Sequence, residues 1–193
     1  MKNHIVRPRQ YVTGISYWSN PNAAQNDKDS YLDMSVRTKY SNSLVESLKQ
    51  YYKPEDKFSL HELGCGWGTN LGVIKENFQN VVITANDVWK DAIDYVKINR
   101  PYVDLTEKDT FEFINDAVEN KKSFDVIITN AHLIHIADND LVGLSGLHKI
   151  CKRAILQENI RNLEFLVTNM KLANMKTVNL PDSNYRYIFE NEI

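Results

Sequence analysis

The apolar positions of this chain fall into helical stripes and short runs that alternate along most of its length. Leu32, Val36, Tyr40, Leu44, Val45, Leu48 and Tyr52 recur at helical spacing, so a helix is predicted over 31–52, closed by Pro54. Phe58–Leu63 then predicts a strand and Asn70–Phe78 a helix. Val81–Ala85 and Trp89–Ile98 repeat the pair, as do Tyr102–Leu105 and Thr110–Val118. Phe124–Thr129 predicts a buried strand before a helix over Asn139–Ile150, and Ala154–Gln157 a strand before a helix over Asn162–Leu172. Two strands close the chain, near Lys176–Leu180 and Tyr185–Glu190. The turn-forming run Pro181-Asp182-Ser183-Asn184 joins them. Residues 1–30 are polar and irregular, punctuated by Pro8, Gly14 and Pro21.

Strands alternating with helices predict an α/β sandwich, with a mostly parallel sheet and helices on both faces. The two last strands share a short turn and must run antiparallel. Residues 1–56 are expected to form an N-terminal cap and helix, and residues 57–193 the main domain, together one compact unit. A length of 193 residues suits one core.

Composition narrows the partners. A hydrophobic fraction of 42% with 25% charged residues excludes disordered and fibrous classes. The net charge of −2 argues against a dedicated nucleic-acid binder, which carries a basic surplus. Lys2, Arg7 and Arg9 make too short a cluster to reverse that. Cys65 lies in a glycine loop and Cys151 far from it, so no structural disulfide is expected and a reducing compartment fits. No apolar run is long enough to span a bilayer, and the first residues lack the apolar core of a signal peptide, so a cytoplasmic location is expected.

The chemistry concentrates in His61-Glu62-Leu63-Gly64-Cys65-Gly66-Trp67-Gly68-Thr69-Asn70-Leu71, a strand, a tight loop and a helix start. Glycines at 64, 66 and 68 let the backbone turn sharply and approach a ligand, which then meets the free N–H groups of a helix N-terminus. The dinucleotide fingerprint G-x-G-x-x-G would place its third glycine at 69, where Thr69 stands, so a dehydrogenase is disfavoured. The pattern is instead G-x-G-x-G preceded by Glu62. It resembles the first motif of class I S-adenosylmethionine-dependent methyltransferases, E/D-h-G-x-G-x-G with h apolar, and matches every fixed position from Glu62 to Gly68.

That resemblance implies S-adenosylmethionine as cofactor, S-adenosylhomocysteine as product and the strand order 3-2-1-4-5-7-6. Asp87 ends the second strand roughly 20 residues after the loop, where an acid takes ribose hydroxyls; as a plain reading it caps the next helix. Val88 and Trp89 follow, to cover one adenine face or, for Trp89, to pack in the core. Asp109, beside Thr110 after the third strand, corresponds to the acid that meets the adenine amino group, and is also a good N-cap. Glu62 would help fix the methionine amino group, or else tie down loop N–H groups. Arg37, in Met34-Ser35-Val36-Arg37-Thr38, is the candidate for the methionine carboxylate, or a surface arginine paired with an acid. The segment from Tyr17 to Thr38 loosely resembles the N-terminal region of small bacterial methyltransferases, some linked to sugar biosynthesis.

The acceptor class should be written after the fourth strand. Asn130 matches the first position of the (D/N)-P-P-(Y/F/W) set of DNA and amino-group methyltransferases, but Ala131, His132 and Leu133 do not match the rest. The segment is more similar to the x-x-L-x-H-I-x-D version of small-molecule methyltransferases, which implies a small-molecule acceptor, with oxygen favoured over nitrogen. His132 and His135 titrate near neutrality when unperturbed, so either is a candidate general base or a structural histidine. No metal set is expected around them. Glu158 would bind acceptor hydroxyls or pair with Arg153 or Arg161, and Tyr11, Tyr17, Trp18 and Tyr31 would form an aromatic lid or a cap core. The alternatives are a cofactor-binding protein without chemistry and, less favoured, a nucleic-acid methyltransferase.

Overall fold

The computed structural model describes residues 34–136, 143–158, 175–178 and 186–191. In chain order these form α1 (Met34–Leu48), β1 (Ser59–Leu63), α2 (Thr69–Asn77), β2 (Val82–Asp87), α3 (Lys90–Asn99), β3 (Val103–Glu107), α4 (Thr110–Glu119), β4 (Phe124–Asn130), α5 (Leu147–Ile150), β5 (Cys151–Gln157), β6 (Met175–Val178) and β7 (Arg186–Asn191). The expected seven strands are all present. They form one sheet in the order β3-β2-β1-β4-β5-β7-β6. The pairs among β1 to β5 are parallel; β7 runs antiparallel to both β5 and β6.

Burial explains why the central strands read as continuous apolar runs. One core lies between the sheet and α1 to α3, built on Leu44, Leu48, Leu60, Leu71, Ile74, Val96, Val126 and Ile128. A second lies on the opposite face, where Phe113 and Ile114 of α4 and Leu147 of α5 meet Leu63, Ile127, Ala154 and Leu156. Each fully buried Leu or Ile side chain contributes roughly 1.5–3 kcal/mol relative to exposure. Because α1 donates Leu44, Val45 and Leu48 to the first core, it packs as a layer of the main domain.

The helix expected over 139–150 is shorter among the described residues: only 147–150 is α-helical, preceded by a 3₁₀ stretch at 143–146. Gly143 and Gly146 account for this. A Cβ on Gly143 would collide with the Phe111 ring and one on Gly146 with Ile114, so both are selected for close packing on α4. Two glycines also cost a helix about 1 kcal/mol each relative to alanine. The helix expected at 162–172 and the turn at 181–184 lie outside the described residues.

Candidate cofactor site

The order 3-2-1-4-5 reverses direction between β1 and β4, which is where ligands lie in open α/β sheets. The glycine loop leaves the end of β1 at this point. Gly64, Gly66 and Gly68 have φ of 65°, 50° and 66°, so the alternate glycines are a backbone requirement. Their surroundings differ. Among the described residues a Cβ on Gly66 would meet nothing within 4 Å, whereas one on Gly64 would run into the His132 ring and one on Gly68 would press on Val96 and Arg100. Of the three glycines, Gly66 is the one left open by the described residues. Arg100 Nε donates to the Gly68 carbonyl at 2.6 Å, and Trp67 packs edge-on against Trp89 and Tyr95, holding the loop from behind. Cys65 is buried, which pushes its thiol well above the ordinary value and leaves it unreactive.

Glu62 is 1% exposed. Asn70 Nδ2 donates to its Oε1 at 2.6 Å, and its Oε2 is buried with no hydrogen-bond partner among the described residues. The expected alternative, a carboxylate tying down loop N–H groups, is not what forms: the partner is a side chain of α2. Burial pushes the Glu62 carboxyl up to about 8; the charge of Asp87 adds to this and the Asn70 bond opposes it.

Asp87 accepts the Gly66 N–H at 2.7 Å on Oδ2, and the Val88 and Trp89 N–H groups at 2.7 and 2.8 Å on Oδ1. It fastens the glycine loop to the start of α3 and uses three of the roughly four acceptor positions of a carboxylate. Its pKa is raised by burial against the opposing pull of those three N–H groups. Trp89 is 4% exposed in a cluster with Trp67 and Ala92, so the core reading holds for it. Val88 is half-buried, and its N–H is one of the three that Asp87 takes.

Asp109 is the N-cap of α4: Oδ1 accepts from Phe111 and Glu112, and Glu112 returns a bond to the Asp109 N–H. Its Oδ2 takes no donor among the described residues. Thr110 is buried, and its Oγ1 lies 2.6 Å from His132 Nε2.

Polar side chains continue along the strand ends on the α1 face. Asn70 Oδ1 accepts from Ser41 Oγ at 2.7 Å and from Asn130 Nδ2 at 3.2 Å, while Gln157 Nε2 donates to Asn130 Oδ1 and the Tyr40 carbonyl. Asn130 thus links the Glu62 end of the row to β5. Ser41, Asn70 and Gln157 were not read from the sequence. For Asn70 the signal was present: an asparagine beside Leu71, on the side of α2 that buries Ile74.

His132 lies just past β4, and its backbone N–H donates to Glu158 Oε1 at 3.0 Å. Glu158 is buried. Arg153 pairs with Glu190 at 2.9 Å, not with Glu158. Enclosure of the His132 ring, with His135 nearby, lowers its pKa to about 3. A histidine so depressed is a weak proton acceptor near neutrality, which favours the structural alternative for it. His135 is half-buried in a single 3₁₀ turn over Leu133–His135. Arg37 lies on α1, with its side chain outside the described residues; Tyr11, Tyr17, Trp18, Tyr31 and Arg161 are also outside them. Among the described residues no three His, Cys, Asp or Glu gather as a metal would require, and no helix is long and apolar enough to cross a membrane.

Sheet order, terminal hairpin and loop position together define a known architecture. The fold is that of the class I methyltransferases. A TehB-like SAM-dependent methyltransferase from Corynebacterium glutamicum superposes with a TM-score of 0.67 at 14% identity, over 90% of this chain and 100% of that one. The plantazolicin methyltransferase BpumL, solved with a monoazolic desmethylPZN analog and SAH, gives 0.69 at 12% identity over 95% and 96% of the two chains. The sugar N-methyltransferase KedS8 from Streptoalloteichus gives 0.64 at 8% identity over 88% and 92%. No family model matches the sequence, and no curated protein does.

Proposed function

We propose that this chain is an S-adenosylmethionine-dependent methyltransferase that acts on a small molecule. The observation that carries this is the buried Oε2 of Glu62, which takes no donor among the described residues, beside a glycine loop that those residues leave open at Gly66. A buried carboxylate oxygen without a donor is costly unless a ligand supplies one, and the cofactor's methionine ammonium is such a donor. The rest of the site fits the same molecule. Asp109 Oδ2 is available to the adenine amino group, with Thr110 beside it. Asp87 has one acceptor position left for a ribose hydroxyl, and Asn130 borders the methionine end. Arg37 is the candidate for the methionine carboxylate.

When bound, the cofactor supplies a methyl group on a sulfonium centre that leaves as a neutral thioether. The chain's part is alignment and exclusion of water along the line of displacement. The acceptor lies beyond the β4 end, and His135 is the candidate to receive its proton. Oxygen is the acceptor atom favoured here, because Asn130 lacks the Pro-Pro-aromatic companions that hold a nucleophilic amine. The similar structures of the plantazolicin methyltransferase BpumL and the sugar N-methyltransferase KedS8 support the acceptor class in its coarser form.

Calorimetry with S-adenosylmethionine and S-adenosylhomocysteine tests the cofactor. Micromolar binding weakened at least tenfold in Asp87→Ala is expected; no binding by the wild type ends the proposal. Labelled cofactor incubated with a fractionated metabolite extract tests the chemistry, and label must appear in a small-molecule fraction.

A further inference from the structure

The residue before His132 has an unusual backbone. Ala131 has φ 52°, a left-handed conformation that costs a non-glycine residue about 1–2 kcal/mol. Ala131 is exposed, and its N–H donates to the Gln157 carbonyl at 2.9 Å, so the turn is tied to β5. The turn drives the next side chain inward. The His132 ring then occupies the space a Cβ on Gly64 would need, its Nε2 reaches Thr110 Oγ1 at 2.6 Å, and its N–H reaches Glu158. His132, itself in the loop after β4, thus touches three other places: the loop after β1, the start of α4 and the end of β5.

We propose that His132 is a positioning residue that preassembles the cofactor site, locking the glycine loop against the adenine-side loop before any ligand arrives. The local strain at Ala131 is retained because it delivers the ring to that place. Nε2 shares a hydrogen with the Thr110 hydroxyl, as donor or acceptor according to the tautomer, while the ring fills the Cβ side of Gly64. A ring held between two loops is poorly placed to follow an acceptor's proton. The meaning of the locked loops rests on the cofactor reading above; the locking itself does not.

The test is amide hydrogen exchange on the full ligand-free chain, comparing wild type, His132→Ala, His132→Gln and Thr110→Val. Loss of the ring or of the Thr110 hydroxyl should speed exchange at Cys65, Gly66 and Gly68 about fivefold, the equivalent of one hydrogen bond. Exchange in β2 and β4 should not change. The glutamine, whose amide reaches as far as Nε2, should restore most of the protection, and S-adenosylhomocysteine affinity should follow the same order. Unchanged loop exchange in both His132→Ala and Thr110→Val would overturn the proposal. So would a variant with normal loop exchange and affinity but lost turnover and an altered pH profile, because the ring would then be a base. Faster loop exchange in His132→Ala and Thr110→Val, beside a wild type that binds no cofactor, would uphold the lock and sink the cofactor reading instead.

Discussion

Asn70 holds one oxygen of Glu62 at 2.6 Å, and the other takes no donor among the described residues. The bond joins the first turn of α2 to the last turn of the central strand pairings, where Glu62 sits opposite both Ala85 and Ile128. It also orients the acid, since Asn70 is itself held by Ser41 and Asn130. The other oxygen therefore points from a fixed side chain, and its carboxyl, pushed up to about 8 by burial, is protonated at pH 7.

A cation docking on Glu62 should expel that proton, because an opposite charge favours the ionised carboxylate. Binding of S-adenosylhomocysteine at pH 7 should release most of one proton, and the release should fade above pH 8. Calorimetry in buffers of different ionisation enthalpy reads this directly. Glu62→Gln should bind more weakly and show no buffer dependence; equal buffer dependence in both proteins would refute the assignment.

His61 gives a second pH effect, on stability. It is fully buried in β1, stacked on Phe113 at 3.7 Å, with Nδ1 2.6 Å from Thr84 Oγ1 and Nε2 3.0 Å from Asn86 Oδ1. Burial lowers its pKa from 6.5 to about 3. The unfolded chain therefore binds a proton that the folded chain refuses between those values, and stability is present above pH 6.5 and lost as pH falls toward 3. The slope is about 1.4 kcal/mol per pH unit for one such histidine. Urea unfolding from pH 6.5 to 4.5 should show it. His61→Gln should be less stable at pH 7 but lose stability more slowly on acidification; a parallel decline would exclude His61 as the source.

The strands and the cofactor loop were legible because their signals are local: a short apolar run, three glycines at alternate positions, and an acid after each of the next two strands. The strand order came from the resemblance the loop carries, and the sheet has that order. Contacts between distant segments were not legible. Ser41 meets Asn70 across 29 residues and Thr110 meets His132 across 22, and nothing in either neighbourhood announces the partner. The free pKa of a histidine suits a base, and the enclosure that favours the structural alternative for His132 is announced by no local pattern. The helix drawn from residue 139 failed where Gly143 and Gly146 serve α4 packing ahead of helix propensity.

Two glycines of one loop should respond differently to the same substitution. Gly64→Ala meets both a left-handed φ and the His132 ring, so it should cost about 2–4 kcal/mol. Gly66→Ala has open space and only its φ to bear, about 1–2 kcal/mol. Yet Gly66 is the open side, so its methyl should weaken cofactor binding more than its stability loss implies. Thermal unfolding with calorimetry on both variants decides it. Equal stability losses would contradict the His132 placement, and unimpaired binding by Gly66→Ala would contradict the open side as the ligand's face.

Asp109 caps α4 with one oxygen and is proposed to meet adenine with the other, and the two roles can be separated. Oδ1 caps α4 by accepting from Phe111 and Glu112, while Oδ2 takes no donor among the described residues and is the oxygen assigned to adenine. Asp109→Ala removes both and should cost about 1 kcal/mol of stability together with the affinity. Asp109→Ser keeps an N-cap oxygen but has no second one to offer, so it should melt within a few tenths of a kcal/mol of the wild type. Its affinity for S-adenosylhomocysteine should nevertheless fall about tenfold, the worth of a hydrogen bond to a charged group. Adenosine binding should fall by the same factor, because the lost contact is to the base and not to the methionine. If the serine variant binds both ligands like the wild type, Asp109 is a helix cap alone, and the adenine amino group must be met by backbone or by another side chain.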